Sequence, residues 1–493
     1  MKYKSTRSNV TVSASQAILK GLSDDGGLFV PVEIPKIGIS FDKLAEMNYR
    51  EIAYEILKLF LDDYSKEDLL YCINSAYDEK FDAEEIAPLV QKGDAYYLEL
   101  FHGKTIAFKD MALSILPYLL TTAAKMNHLK EETVILTATS GDTGKAALAG
   151  FAGVPNTKII VFYPKDGVSE IQKKQMITQE GDNTLVIGVD GNFDDCQTEV
   201  KNIFNDPAFK KELLDNGYVF SSANSINVGR LVPQIVYYVY SYAMLIKQGV
   251  IQNGQEVNFV VPTGNFGNIL AAYYAKEAGL PVHKLICASN ENRVLFDFFS
   301  TGVYDKNRKF ILTNSPSMDI LVSSNLERLI YHISGNDENK TAALMESLKT
   351  TGRYEITKEM KDRLSAFHGE YAGENETLHA ISALYHACHY VQDTHTAVAS
   401  AAYEKYLRKF ADNRPTVIVS TASPYKFTPA VMKAISKETD TDLGALIQKL
   451  NAASDVVVPK AVSEVFEAPV RHKMICTVDE MKTCVRKFLE ISL

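Results

Sequence analysis

Three short runs in this 493-residue chain put small or hydroxylic residues where a β-branched strand hands over to a helix. The first is Thr139-Ser-Gly-Asp-Thr-Gly144, between Thr133-Val-Ile-Leu-Thr137 and Lys145-Ala-Ala-Leu-Ala149. Gly141 and Gly144 let a backbone approach a ligand closely, and the open amides of the following helix favour an anion. This is not a P-loop, because Thr139 and Ala146 stand where that pattern needs Gly and a hydroxyl residue. A plain helix-capping loop would have the same composition. The second run is Pro262-Thr-Gly-Asn-Phe-Gly-Asn268, which offers a nest of backbone amides suited to a phosphate dianion. It lacks the GxGxxG spacing of a dinucleotide site. The third is Ser420-Thr-Ala-Ser-Pro-Tyr-Lys-Phe427, where Thr421 could offer a hydroxyl and Lys426 a charge, although an exposed lysine without a task is the commoner case.

All three runs fall at the carboxyl ends of predicted strands, where open α/β sheets collect ligands. The strands are Thr133-Val-Ile-Leu-Thr137, Lys158-Ile-Ile-Val-Phe162, Thr184-Leu-Val-Ile-Gly188, Val257-Asn-Phe-Val-Val261, Lys284-Leu-Ile-Cys-Ala288 and Thr416-Val-Ile-Val-Ser420. They alternate with Ala-rich helical segments, which predicts an α/β fold of parallel sheets covered by helices on both faces. The strands group into two lobes, a smaller one over about 130–255 and a larger one over 93–129 and 256–452. Residues 1–92 read as a mainly helical N-terminal domain: Phe41, Leu44, Ala45, Tyr49, Ile52, Ala53, Ile56, Leu57 and Phe60 recur at three- and four-residue spacing. Residues 453–493 read as an extension capping the larger lobe.

Composition narrows the class. A hydrophobic share of 46% with 23% charged residues is that of a folded globular chain, and 493 residues exceed one ordinary core. A formal charge of −9 argues against a nucleic-acid partner. The six cysteines, Cys72, Cys196, Cys287, Cys388, Cys476 and Cys484, have no CxxC spacing, so neither a metal site nor a disulfide framework is expected. Residues 1–7 lack the apolar core of a signal peptide, and no uncharged apolar stretch is long enough to span a membrane. A cytoplasmic location follows as the expectation.

Further motifs run in order along the chain: Ser5-Thr-Arg7, Asp24-Asp-Gly-Gly-Leu-Phe-Val-Pro31, His102-Gly-Lys-Thr-Ile-Ala-Phe-Lys-Asp110, Ser140-Gly-Asp-Thr-Gly144, Gly191-Asn-Phe-Asp-Asp195, Asn224-Ser-Ile-Asn227 with Arg230, Gly264-Asn-Phe-Gly-Asn268, Ser315-Pro-Ser-Met-Asp-Ile-Leu321 and Asp393-Thr-His-Thr-Ala397. Together they resemble the threonine synthase family, pyridoxal-phosphate enzymes of fold type II, related to the tryptophan synthase β subunit. Lys104 stands where that family usually has Pro, and Ser423 where many members have His. Ser423 cannot do imidazole chemistry, so His102 or His395 would have to substitute if that chemistry matters.

The resemblance implies that Lys109 carries pyridoxal 5'-phosphate as a Schiff base and later moves protons. Phe108 and Asp110 are expected to flank it, Gly264, Asn265, Phe266, Gly267 and Asn268 to bind the cofactor phosphate, and Thr421 to bond the pyridine nitrogen. Asp142 should border the phenolic oxygen, with Ser140, Gly141 and Thr143 receiving the substrate carboxylate. Thr105 is also expected at the substrate, and Asn224, Arg230 and Lys426 are candidates for its phosphate. The implied reaction turns O-phospho-L-homoserine and water into L-threonine and phosphate by γ-elimination and β-hydration, ending threonine biosynthesis, in a monomer or homodimer. The alternatives are a related phospho-lyase or dehydratase giving a 2-oxo acid, and a non-catalytic protein of the same fold.

Overall fold

The structure, a computed structural model, describes residues 1–139, 141–166, 168, 170–437, 442–454 and 456–491. Its two central sheets are built from the β-branched runs. Strands such as Val257–Pro262 and Thr416–Ser420 are buried along their whole length, which is why they carry apolar runs rather than alternation. In the larger lobe, neighbouring strands run in the order Phe367–Tyr371, Val282–Ser289, Val257–Pro262, Thr416–Ser420, Ala95–Glu99, Leu89–Lys92. All pair in parallel except the last, an antiparallel edge. The sheet thus reaches back to Leu89, inside the expected N-terminal domain.

The smaller lobe's sheet is wholly parallel, in the order Met474–Thr477, Thr184–Asp190, Thr157–Pro164, Glu132–Ala138, Tyr218–Ser221. Its outer strand corrects the reading of the C-terminus. Residues 474–477 pair with Thr184–Asp190, and Met481, Cys484 and Val485 of the helix Met481–Phe488 join the core that holds Ile187 and Val189. The extension is therefore divided: Met474–Thr477 and the helix after it complete the smaller lobe, whereas Val462 lies in the core of the larger lobe with Val456, Val458 and Ala461 packed against it. Met474–Thr477 is too short and too polar in its surroundings to announce a strand, and only an unsatisfied sheet edge beside it gives it one.

The N-terminal region combines an antiparallel sheet (Thr11–Ser13, Lys2–Ser5, Phe29–Pro31) with helices Phe41–Ala45, Tyr49–Phe60 and Lys66–Ala76. The predicted apolar stripe is buried at Tyr49, Ile52, Ala53, Ile56, Leu57 and Phe60, and a capping box of Asn48 with Glu51 starts that helix. The stripe packs on Val228–Lys247, a 20-residue helix buried from Val228 through Leu245. Pro117 breaks the segment after Lys109 into two helices, Asp110–Leu113 and Leu116–Met126, and stands in the first turn of the second.

Candidate active site

Lys109 precedes the four-residue helix Asp110–Leu113. Its segment is zipped onto the third turn, 420–427: the Phe108 N–H donates to the Thr421 carbonyl at 2.8 Å and the Ser423 N–H to the Ile106 carbonyl at 3.0 Å. Asp110 turns inward, accepting from the Thr105 N–H (2.8 Å) and hydroxyl (2.6 Å). A Cβ on Gly103 would lie 2.6 Å from that of Asp110, so the turn demands glycine there. Burial pushes the Asp110 carboxyl upward, with the Thr105 hydrogen bonds opposing. Thr105 and Asp110 thus brace the lysine's backbone, and the Thr105 carbonyl accepts from Lys426 at 2.9 Å.

The lysine amine meets the first turn. Asp142 opens the helix Asp142–Phe151 of the smaller lobe, and its carboxylate lies 3.4 Å from Lys109 Nζ and 2.9 Å from Lys426 Nζ. The Gln172 amide and the Ser317 hydroxyl each donate to it at 2.9 Å. Burial alone would raise the Asp142 pKa, yet Lys426 and Lys109 hold it well below the usual carboxylate range. Burial pulls the Lys109 ammonium down, and neighbouring Lys426 and Arg230 add to this while Asp142 resists. Lowering the ammonium's pKa makes the unprotonated amine more available for proton transfer. Lys145, one turn along the same helix, is brought to about 8 by burial and donates to Gln179 at 2.7 Å.

Within this turn Thr139 uses its hydroxyl to accept from the Gly141 and Gly144 amides, both at 2.9 Å. Those two amides are therefore not free for a ligand carboxylate, and the expectation of an open nest is narrowed to the uncapped helix end at Asp142 and half-buried Thr143. Gly141 itself adopts φ +140°, against the Gln172 side chain. Ser140 lies outside the described residues.

The second turn ends the strand Val257–Pro262 and begins the helix Gly267–Glu277. Phe266 takes the left-handed conformation (φ +66°), and no side chain caps the helix. Its ring is buried against Phe299 and Phe367, which anchors the turn. Asn265 and Gly264 receive hydrogen bonds on their carbonyls, from the Asn325 N–H (3.1 Å) and the Ser323 hydroxyl (2.6 Å). Tyr238 donates to Asn268 Oδ1 at 2.6 Å, while the buried Asn268 and Asn325 Nδ2 atoms have no partner among the described residues. An uncapped helix start with orphaned buried donors fits the phosphate of pyridoxal phosphate. The hydroxyl of Thr421, at the end of the strand Thr416–Ser420, has no protein partner among the described residues, which fits a bond to the ring nitrogen.

The three substrate-phosphate candidates fare differently. Arg230, in the first turn of Val228–Lys247, is buried, donates one N–H to the Ala223 carbonyl at 3.0 Å and leaves its Nε unpartnered. Burial lowers its pKa to about 10, so it stays cationic. Asn224 is half-buried and accepts from the Thr137 hydroxyl at 3.3 Å. Lys426 is not a free cation: its charge is matched by Asp142. Sequence reasoning gave no role to Ser317, Gln172 or Asn325. Ser317 lay inside a recognised motif, whereas nothing local marked Gln172 or Asn325.

Of the two histidines considered as substitutes at position 423, His102 is held between Asp82 (2.6 Å) and Glu99 (3.0 Å). His395 is buried, with its ring 4.7 Å from that of Phe427. Ser423 is buried with its hydroxyl unpartnered.

Two parallel-sheet lobes meeting over a buried lysine, a phosphate-binding helix start and a hydroxyl at a third strand end define a pyridoxal-phosphate-dependent enzyme, and the family description "Pyridoxal-phosphate dependent enzyme" matches residues 83–422. Residues 2–77 match "Threonine synthase N terminus" and 396–485 match "Threonine synthase, C-terminal". The chain is 37% identical to threonine synthase of Saccharomyces cerevisiae over 88% of its length and 89% of that protein. It is 41% identical to human "Threonine synthase-like 1" over 89% of its length, but spans only 60% of that relative. The solved PLP-bound threonine synthase from Brucella melitensis superposes with a TM-score of 0.87 at 33% identity, covering 99% of both chains. The chain belongs to the threonine synthase family.

Proposed function

We propose that the chain converts O-phospho-L-homoserine and water to L-threonine and phosphate. The observation that carries this reading is the pairing of two separate phosphate-competent features around one lysine: the uncapped helix start at 264–268 and buried Arg230 with its free Nε. An enzyme for a phosphorylated substrate with a phosphorylated cofactor needs both.

When bound, pyridoxal phosphate supplies the electron sink that acidifies the substrate's α-carbon. Lys109 would hold it, with Gly264, Asn265, Phe266, Gly267 and Asn268 around its phosphate, Thr421 at the ring nitrogen, and Phe108 and Asp142 bordering it. Lys109 then moves protons at Cα and Cβ of the substrate, its amine kept reactive by burial and by Lys426 and Arg230. Asp142 joins the lobes across the cleft by pairing with both Lys109 and Lys426. Thr143 and the helix end beside it receive the substrate carboxylate, and Arg230 with Asn224 holds the phosphate that leaves Cγ. A hydroxyl at Thr421, in place of a carboxylate, suits elimination and water addition better than amino-group transfer. Buried free thiols such as Cys72 and Cys287 fit a reducing compartment, and we assign the chain to the cytoplasm, as a monomer or homodimer without a nucleic-acid partner. Among the described residues no helix is long and apolar enough to cross a membrane.

The test is a product assay on purified protein with pyridoxal phosphate and O-phosphohomoserine. Phosphate and threonine should appear in equal amounts, and Lys109→Ala should abolish both along with the visible absorbance of the lysine-bound cofactor. Phosphate accompanied only by 2-oxobutyrate and ammonia would refute the synthase reading and leave the cofactor site standing.

A further inference from the structure

The turn Pro316–Met318 lies at the centre of the site, yet its seat is a histidine with no role so far. The Ser317 N–H donates to His395 Nε2 at 3.1 Å. That bond requires Nε2 to be bare, so the ring proton sits on Nδ1, which lies 3.0 Å from Asp393 Oδ1. Asp393 is itself fixed as the cap of the helix Thr394–Phe410, accepting from the His395 N–H at 2.8 Å. Both side chains are almost fully buried. The outer part of the same loop is held separately, by Asn290 and Thr313 on Asp319. Ser317 stands between these anchors and the reactive lysine. Its hydroxyl donates to Asp142 Oδ2, the same oxygen that Lys109 Nζ approaches at 3.4 Å, and accepts from Lys109 Nζ itself at 3.4 Å.

We propose that His395, braced by Asp393, is a positioning residue for Lys109: it seats Ser317, and Ser317 bridges the lysine's ammonium to Asp142. The hydroxyl accepts from the ammonium while donating to the carboxylate oxygen that faces it, so it favours the protonated amine. Withdrawing the hydroxyl, or letting the turn drift off His395, removes that acceptor and lets Lys109 lose its proton at lower pH. The other charges facing Lys109 are Lys426 and Arg230, which neither change touches. The inference rests on Lys109 being the reactive amine of the proposed function, and not on which product forms.

The test uses the full-length chain stripped of cofactor, with folding checked by circular dichroism. The pH midpoint of Lys109 acetylation by acetic anhydride is read by peptide mass spectrometry. Ser317→Ala should lower the midpoint by roughly half a unit or more. His395→Leu should move it the same way, and His395→Gln, which keeps an acceptor near Nε2, should leave it close to the parent value. Should His395→Leu fail to fold, Ser317→Ala and His395→Gln decide. Unshifted midpoints in folded Ser317→Ala and His395→Leu would overturn the proposal, as would His395→Gln behaving like His395→Leu. The readout needs no substrate, so a chain that makes no threonine but shows these shifts would fail the functional proposal alone.

Discussion

Gly264→Ala probes the phosphate turn through a single methyl group. An ideal Cβ at Gly264 lies 2.8 Å from the Ser317 carbonyl oxygen and 3.3 Å from Met318 Cα, both backbone atoms that cannot swing away. Ordinary contact begins at 3.4 Å, so the turn carrying Ser317 must retreat by about 0.6 Å (3.4 minus 2.8). Overpacking of this kind costs ~1–3 kcal/mol. The cofactor-free chain relaxes by letting the turn move, and the strain returns when the cofactor draws the turn back. Affinity for pyridoxal phosphate should therefore fall by roughly 5- to 150-fold, at a factor of ten per 1.4 kcal/mol. The assay is a cofactor titration followed by visible absorbance, with Gly267→Ala beside it. A Cβ on Gly267 has the Asn325 amide nitrogen at 3.5 Å as its nearest neighbour, so that variant should match the parent in cofactor-free thermal stability. Parent-like cofactor affinity in Gly264→Ala would refute the close approach of the two turns as the constraint.

Asp142→Asn leaves Lys109 and Lys426 without their shared counter-charge, and should cost stability of the order of 3 kcal/mol through the uncompensated buried cations. Because the folded Asp142 pKa is depressed, its contribution is present above the unfolded carboxylate value and is lost as pH falls through the folded one. Denaturant titrations should thus show parent and variant converging in acid. His102 works in the opposite sense: burial disfavours its charge, but Asp82 and Glu99 outweigh this and raise its pKa to about 9. Its contribution is complete below an unfolded value of ~6.5 and is lost as pH rises through about 9. His102→Gln should remove ~1–2 kcal/mol at pH 6, discounted for the exposure of Asp82, and nearly nothing at pH 10.

Much of this molecule is legible without a fold. β-branched runs alternating with Ala-rich segments marked the core strands, because a parallel strand buried on both faces admits little else. The turns at 139–144, 262–268 and 420–427 stood out because only small or hydroxylic residues let a backbone approach an anion at a helix start. The motif order identified Lys109, which no local property separates from other lysines.

What local pattern could not reveal were relations between distant residues. Gln172 becomes a partner of Asp142 only through helix packing within the smaller lobe, Ser317 only across the two lobes, and Asn325 meets the phosphate turn only through packing. The sequence offered Lys426 as a cation for substrate, whereas tertiary structure commits it to Asp142 and the Thr105 carbonyl. The C-terminal strand was assigned to the wrong lobe because a four-residue edge strand has no stability of its own and takes its place from the sheet that lacks a neighbour. The residue types that can do the chemistry are thus written locally, in side-chain size and hydrogen-bonding capacity. Their charge states, and which of them stay free for a ligand, depend on burial and on Coulomb neighbours that only the folded chain brings together.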